Sequence, residues 1–349
     1  MIDPLLLIFL TSGLFLGWAL GANDAANVFG TAVGTKMLQW RTAAIICSVF
    51  VILGALISGA GTTQTLGKLG TISALPGAFM TALSAAIAVY SMTKSGLPVS
   101  TSQAIVGAIV GWNLFSSNPT DSATLTKILT TWILCPVLSA IIAVGLFKLI
   151  KIIGKHAKLH LIMADAYTRF GLILAGAFGA YSLGANNIAN VVGVFIPTQP
   201  FPAIIYGNFH ISSTQQLFLL GGLAIAAGIF TYSKKVMLTV GDDLGRLSPT
   251  AAFIAVTSHS IVLFLFASRG LEAWLSGHGL PTIPLVPVSS SQAVVGAIVG
   301  ISLLQGTTGI RWSVLRKIVT GWIATPLVAG IICFIGLFFL QNVFKLAVT

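Results

Sequence analysis

Long apolar runs follow one another along most of the chain, separated by short polar segments. The first covers about Leu5 to Leu20 and the last about Ile318 to Leu340. Because a membrane-spanning helix needs about 20 apolar residues, the pattern predicts roughly ten crossings, or up to about twelve if interrupted helices count twice. The runs are continuous, whereas the strands of a membrane barrel alternate in polarity. The pattern therefore favours an all-α polytopic membrane protein.

Two polar heptapeptides interrupt these runs at corresponding places in the two halves. Residues 21–27 read GANDAAN and residues 184–190 read GANNIAN. Glycine allows the backbone to leave helical geometry, so Gly21 and Gly184 predict broken helices. Asp24 would be a carboxylate inside lipid, which is costly and marks a functional site by default. The structural alternative is that Asp24 caps a buried helix end.

A second duplicated segment predicts a pair of helix starts. Residues 98–111 (PVSTSQAIVGAIVG) and 287–300 (PVSSSQAVVGAIVG) are identical at 12 of 14 positions. In each, a serine precedes a glutamine by three residues, as in a capping box, and a proline ends any earlier helix. The free N–H groups and the dipole of a helix start attract anions, so two of them could hold one tetrahedral oxyanion. In a single copy, close helix packing would be the simpler interpretation.

The two motifs recur in the same order, which indicates that the chain is a duplication. It divides into a first repeat at 1–150, a basic cytoplasmic linker at 151–169 and a second repeat at 170–349. Each repeat would hold about five membrane segments. Because that number is odd, the second repeat enters the membrane upside down. We therefore predict an inverted-topology repeat, an architecture of secondary transporters whose binding site lies at the interface of the repeats.

The basic residues support this inversion. Lys36 and Arg41 follow the first motif, whereas the matching stretch 197–215 has no Lys or Arg. The loop before the last apolar run has the opposite bias, because its basic residues are concentrated in the second half. These are Arg311, Arg316 and Lys317. Since positively charged loops face the cytoplasm, the linker is predicted inside the cell and both chain termini outside.

The composition excludes a soluble globular protein. Of 349 residues, 56% are hydrophobic and 7% are charged, and the mean hydropathy is +0.99, whereas soluble domains carry roughly 25% charged residues. The net charge of +11 comes from short basic clusters between apolar runs. It therefore indicates membrane orientation, with the lipid bilayer rather than nucleic acid as partner. Three isolated cysteines predict neither a disulfide nor a metal site.

The motifs supply the candidate binding residues. Carboxylate and amide oxygens can bind a coupling cation, Na⁺ or H⁺, and we assign this role to Asp24, Asn23, Asn186 and Asn187. The helix starts can bind an anion. Their candidate residues are Ser100, Thr101, Ser102, Gln103, Ser289, Ser290, Ser291 and Gln292. The five histidines fall singly or in loops and receive no role. One buried carboxylate without a paired base argues against an enzyme, and no cofactor is expected.

The segments GANDAANVFGTAVGTK (21–36) and GANNIANVVGVF (184–195), together with both PVS(T/S)SQA segments, resemble the inorganic phosphate transporter (PiT) family of cation-coupled symporters. The resemblance spans both halves. It implies Na⁺- or H⁺-driven uptake of inorganic phosphate across the cell membrane by alternating access. It also implies that Asp24, Asn27, Asn187 and Asn190 bind the anion together with the hydroxyls and glutamines of the helix starts.

One departure from the family pattern bears on the substrate. The family usually carries Asp in both motifs, whereas residue 187 is Asn here. Phosphate carries a proton that a carboxylate can accept and sulfate does not, so sulfate stays open as the alternative substrate of the same fold. An anion channel is a third alternative, but a channel needs polar positions along several helices. A homodimer is compatible with the sequence.

Overall fold

The computed structural model describes residues 4–94, 99–156, 160–207, 209–243, 247–305 and 312–349. Pro98 of the first helix-start segment and Arg311 lie outside these ranges. A 3₁₀ turn (Gly193–Phe195) and a short antiparallel hairpin, β1 (Ile204–Tyr206) and β2 (Phe209–Ile211), lie between the seventh and eighth helices. The helices are α1 (Pro4–Gly34), α2 (Trp40–Ser58), α3 (Ala60–Leu69), α4 (Leu75–Lys94), α5 (Thr101–Ser116), α6 (Ser122–His156), α7 (Leu161–Val192), α8 (Ser213–Asp243), α9 (Pro249–Leu265), α10 (Arg269–Gly277), α11 (Ser290–Gln305) and α12 (Trp312–Asn342).

Among the described helices, seven are long and apolar enough to cross a membrane, namely α1, α2, α4, α6, α7, α8 and α12. The pair α9 and α10 is bent by 64° and would add an eighth span. These helices confirm the all-α polytopic membrane class. In contrast, α5 and α11 have 16 residues each, fewer than the roughly 20 that a span requires. The described long helices are thus fewer than the ten expected crossings.

The first helix start lies deep in the helix bundle. Gly77, near the start of α4, lies against Trp112, near the end of α5. The two helices therefore form a hairpin that returns to the end from which it entered. Val99, just before α5, accepts a hydrogen bond from Asn23, which lies in the middle third of α1. As a result, α5 begins beside the middle third of α1, inside the helix bundle.

The prediction of broken helices at Gly21 and Gly184 is wrong. Both heptapeptides lie inside continuous helices, α1 and α7. A Cβ atom at Gly21 would overlap the carbonyl oxygen of Ile225, and one at Gly184 would overlap that of Val51. The two glycines therefore allow the backbones of neighbouring helices to approach closely, which is a common use of small residues in membranes. Among the described residues, irregular segments instead precede α5 and α11, and a bend separates α9 from α10.

Contacts between the two halves come in exchanged pairs. The helix α1 of the first half packs against α8 of the second, and its counterpart α7 packs against α2. In the same way, α5 packs against α12, and its counterpart α11 packs against α6. The glycines of the duplicated GxxxG segments lie in these contacts. Gly107 faces the backbone of Pro326, and Gly296 faces that of Pro136. This exchange is what two structural repeats related by a twofold axis would produce.

The basic segments gather at one end of the bundle. The Arg169 guanidinium, near the start of α7, donates to the carbonyl oxygen of Met37 at 2.9 Å. The ammonium group of Lys234 lies 5.8 Å from the centre of the Trp40 ring. At the opposite end, Val348 near the C-terminus accepts a hydrogen bond from Trp112 at 2.9 Å. The loop after α1, the start of α7 and the end of α8 therefore share one side.

Candidate anion and cation site

Two serines cap the duplicated helix starts. Ser100 Oγ accepts the backbone N–H of Gln103 at 3.3 Å, and Ser289 Oγ accepts that of Gln292 at 3.3 Å. This confirms that both segments open helices. The glutamine side chains do not complete a capping box, because each buried Oε1 has no hydrogen-bond partner among the described residues. Each glutamine therefore keeps an acceptor oxygen that a ligand could use at the helix starts.

Asparagines of α1 and α7 hold the extended segments that precede these helices. Asn23 Nδ2 donates to the carbonyl oxygen of Val99 at 3.4 Å. Asn186 Nδ2 donates to that of Val286 at 3.3 Å, and Asn186 Oδ1 accepts the N–H of Val288 at 3.0 Å. Irregular backbone in a membrane protein requires such partners. Asn186 is therefore occupied at both ends as an anchor, which leaves it little capacity to bind a cation.

Asp24 is a buried carboxylate without a neighbouring positive charge in the part of the chain that the structure describes. Its side chain is 2% exposed, and Oδ1 accepts hydrogen bonds from Asn23 Nδ2 at 2.7 Å and Asn27 Nδ2 at 3.5 Å. The Thr101 hydroxyl is close by, but its geometry does not make a hydrogen bond. No described Lys, Arg or His lies within ion-pair distance of Asp24. A buried carboxylate of this kind requires a proton or a bound cation.

Asn187 has a different environment from its counterpart Asp24. Its Oδ1 accepts from Ser102 Oγ at 3.2 Å and from Asn190 Nδ2 at 2.8 Å. Its Nδ2 donates to the carbonyl oxygen of Leu183 at 3.2 Å. Both ends of the amide are therefore occupied by protein groups. The second heptapeptide offers no charge here and no free ligand atom on this side chain.

Hydrogen bonds cross between the halves at the two helix starts. Asn27 Nδ2 donates to Ser290 Oγ at 3.1 Å, and Asn190 Nδ2 donates to Ser102 Oγ at 2.9 Å. Ser102 Oγ also lies 2.9 Å from the carbonyl oxygen of Val288. The structure therefore brings the candidate residues of both halves together. All of them are at most 7% exposed: Asn23, Asp24, Asn27, Ser100, Thr101, Ser102, Gln103, Asn186, Asn187, Asn190, Ser289, Ser290, Ser291 and Gln292.

His259 belongs to this cluster, although its sequence context suggested no role. It lies on α9, is fully buried, and places Nε2 2.9 Å from Ser290 Oγ. Its other ring nitrogen, Nδ1, has no partner among the described residues. The sequence did contain one signal for this residue. His259 is an ionisable side chain inside an apolar run, which in a membrane segment is a reason to suspect function.

The long apolar helices define an integral membrane protein, and a buried polar cluster lies between its two halves. The model of the phosphate transporter family matches residues 20–333 and 280–347, so the chain belongs to this family. Its fold and family are those of a transporter. The resemblance to phosphate transporters is thus confirmed.

Named relatives extend over most of the chain. The "Putative phosphate permease" of Methanocaldococcus jannaschii is 28% identical over 324 residues, covering 92% of this chain and 93% of that protein. "Inorganic phosphate transporter 2-1, chloroplastic" of Arabidopsis thaliana is 23% identical over 420 residues, covering 90% and 68%. A solved structure, "The sodium-dependent phosphate transporter", superposes with a TM-score of 0.75 at 23% identity, covering 97% and 99%. The fold is shared with that protein.

Proposed function

We propose that this protein is a cation-coupled symporter that carries inorganic phosphate across the cell membrane by alternating access. The observation that carries the proposal is Asp24, a buried carboxylate without a positive neighbour among the described residues, which lies near the two capped helix starts. An anion and a cation that bind together would satisfy both features, because each offsets the charge of the other. The names of the relatives support phosphate as the anion.

The anion would bind between the two helix starts. Each contributes N–H groups of a first helical turn, hydroxyls and a glutamine, and no described Lys or Arg is buried among them. Helix N-termini bind anions through such groups. The best candidates for binding the anion are Thr101 and Gln103 in the first half and Ser290 and Gln292 in the second. The five serine hydroxyls all contact protein groups. Ser290 stays a candidate because its two partners are the side-chain nitrogens of Asn27 and His259, and both can donate to its oxygen.

The coupling cation would bind at Asp24, with Asn23 and Asn27 as its neighbours. Na⁺ accepts carboxylate and amide oxygens as ligands, and a proton would simply neutralise the carboxylate. The sodium dependence of the solved relative favours Na⁺. Since Asn187 is neutral and Asn186 is used as an anchor, the second half supplies no equivalent site. We therefore expect one cation at the pair of heptapeptides.

The remaining features of the transport model follow from the repeat. We propose that the halves, at 1–150 and 170–349, form an inverted-topology repeat whose relative rocking exposes the site to each side in turn. The basic end, with Lys36, Arg41 and the linker at 151–169, would face the cytoplasm. Both chain termini would then lie outside the cell.

Uptake into proteoliposomes tests the proposal. The expected result is saturable accumulation of radiolabelled phosphate that requires an inward Na⁺ or H⁺ gradient, and saturable counterflow without one. Purely conductive, non-saturating flux would instead support a channel. The second candidate substrate is sulfate, which the neutral Asn187 favours because sulfate brings no proton for a carboxylate to accept. Preferential accumulation of labelled sulfate over phosphate would establish that alternative.

A further inference from the structure

The Ser290 hydroxyl is held by two side chains from different helices. His259 Nε2 lies 2.9 Å from Ser290 Oγ, and Asn27 Nδ2 donates to the same oxygen at 3.1 Å. A hydroxyl oxygen can accept two hydrogen bonds and still donate its own proton to a third group. If Nε2 carries the imidazole proton, the Ser290 proton is therefore left over. No described protein group other than His259 is placed to accept it.

The hydroxyl of Ser102, unlike that of Ser290, has a protein group that can accept its own proton. It accepts from Asn190 at 2.9 Å, and its own proton can go to the carbonyl oxygen of Val288 at 2.9 Å. By contrast, Thr101, which aligns with Ser290 in the repeat, has no hydrogen-bond partner within the described residues. Equivalent positions of the two helix starts, Thr101 and Ser290, thus offer hydroxyl protons that the protein does not use.

We propose that His259 is a positioning residue for the anion, an inference that rests on the proposed phosphate transport. His259 donates from Nε2 to Ser290 Oγ, so the Ser290 proton points into the site and donates to an oxygen of phosphate. In the other tautomer the Ser290 proton would turn toward Nε2, and a buried Nδ1–H would lack an acceptor. Because an orphaned buried N–H is costly, anion binding and the Nε2–H tautomer stabilise each other.

The surroundings of His259 favour a neutral donor over a cationic one. Its helix, α9, packs against α1, α6, α7 and α11. The buried titratable side chains described on those helices are Asp24 on α1 and Cys135 on α6. Asp24 is linked to Ser290 through Asn27, while the Cys135 thiol donates to the carbonyl oxygen of Ser289 at 3.6 Å. The described side-chain partner of His259 is therefore a hydroxyl, and the Asp24 carboxylate is reached only through Ser290 and Asn27.

A double-mutant cycle tests this role, with phosphate affinity measured by titration calorimetry on the purified protein. His259→Leu and Ser290→Ala should each weaken phosphate binding by about tenfold or more, as expected for losing a hydrogen bond to a charged group. If His259 acts through Ser290, the double variant should bind no more weakly than Ser290→Ala. If the losses of phosphate affinity in the two single variants multiply in the double variant, the proposal is overturned. It is also overturned if His259→Leu binds phosphate normally.

Two further variants separate positioning from packing. His259→Gln retains an N–H donor near the position of Nε2 and should recover most of the affinity. A loss as large as that of His259→Leu would contradict the role of this donor. Ser260→Ala is the matched control, because Ser260 is buried on the same helix but bonds to the carbonyl oxygens of Val256 and Ala175. It should leave phosphate affinity unchanged.

The wild-type protein supplies a measurement that does not depend on the folding of a variant. With ¹⁵N-labelled histidine, the His259 signal, assigned by its loss in His259→Gln, should report the Nε2–H tautomer when phosphate is bound. The Nδ1–H tautomer would overturn the inference. If wild-type protein does not bind phosphate at all, the proposed function fails. If it binds phosphate and the cycle is additive, only the role of His259 fails.

Discussion

Replacing Gly21 or Gly184 by alanine tests whether the heptapeptide glycines serve helix packing. At both positions a Cβ atom would overlap a backbone carbonyl oxygen of a neighbouring helix, that of Ile225 on α8 or Val51 on α2. A backbone atom cannot move aside as a side chain can, so the helices must separate. Overpacking of this kind typically costs about 1–3 kcal/mol. We expect each variant to lose stability within that range.

The matched control is Gly145→Ala in the interior of α6. A Cβ atom there meets nothing within 4 Å, so alanine should be neutral or stabilise by about 0.5–1 kcal/mol through its higher helix propensity. Thermal melting of the detergent-solubilised proteins by fluorescence-detected size exclusion compares the three variants. Equal melting temperatures for Gly21→Ala, Gly184→Ala and Gly145→Ala would refute the packing role. Phosphate binding should also weaken in the first two, because α1 and α7 carry the site.

Two more substitutions probe the site. In the wild type, the carbonyl oxygen of Leu183 accepts a hydrogen bond from the Asn187 amide at 3.2 Å. Asn187→Asp places a carboxylate against this oxygen, so the ligand-free protein should melt at a lower temperature. Added Na⁺ or acid should restore the melting temperature, and no response to either would contradict our view of this position. Asn186→Ala removes the partners of the Val286 carbonyl and the Val288 N–H and should lower the stability of the protein by about 1–3 kcal/mol. The control, Asn342→Ala, loses only an exposed hydrogen bond and should have little effect on the melting temperature. Equal effects of the two substitutions would argue against the anchoring role of Asn186.

Local patterns predicted the helix starts well. Ser100 and Ser289 each cap the backbone N–H three residues ahead, within one helical turn, so neighbours in sequence determine the conformation. The length and continuity of the apolar runs likewise predicted the membrane class. The long helices among the described residues are fewer than the ten expected crossings, because an apolar run does not reveal whether its helix begins at the edge of the bundle or beside the middle of α1.

Contacts between distant segments could not be predicted in the same way. Gly21 and Gly184 are equally consistent with a helix break and with close packing, and the choice depends on α8 and α2. His259 received no role because its partner, Ser290, lies on another helix. The anchoring role of Asn186 depends on Val286 and Val288, about 100 residues away in the chain. Composition and spacing do not carry this information.

The central claim is that Asp24 couples phosphate transport to a cation. The most direct measurement is phosphate accumulation in proteoliposomes under an imposed inward Na⁺ or H⁺ gradient, comparing wild type with Asp24→Asn. The amide keeps the size of the side chain and removes its charge. We predict that Asp24→Asn loses gradient-driven accumulation while the folded protein is retained, as shown by its melting temperature. Full gradient-driven accumulation by Asp24→Asn would contradict the claim.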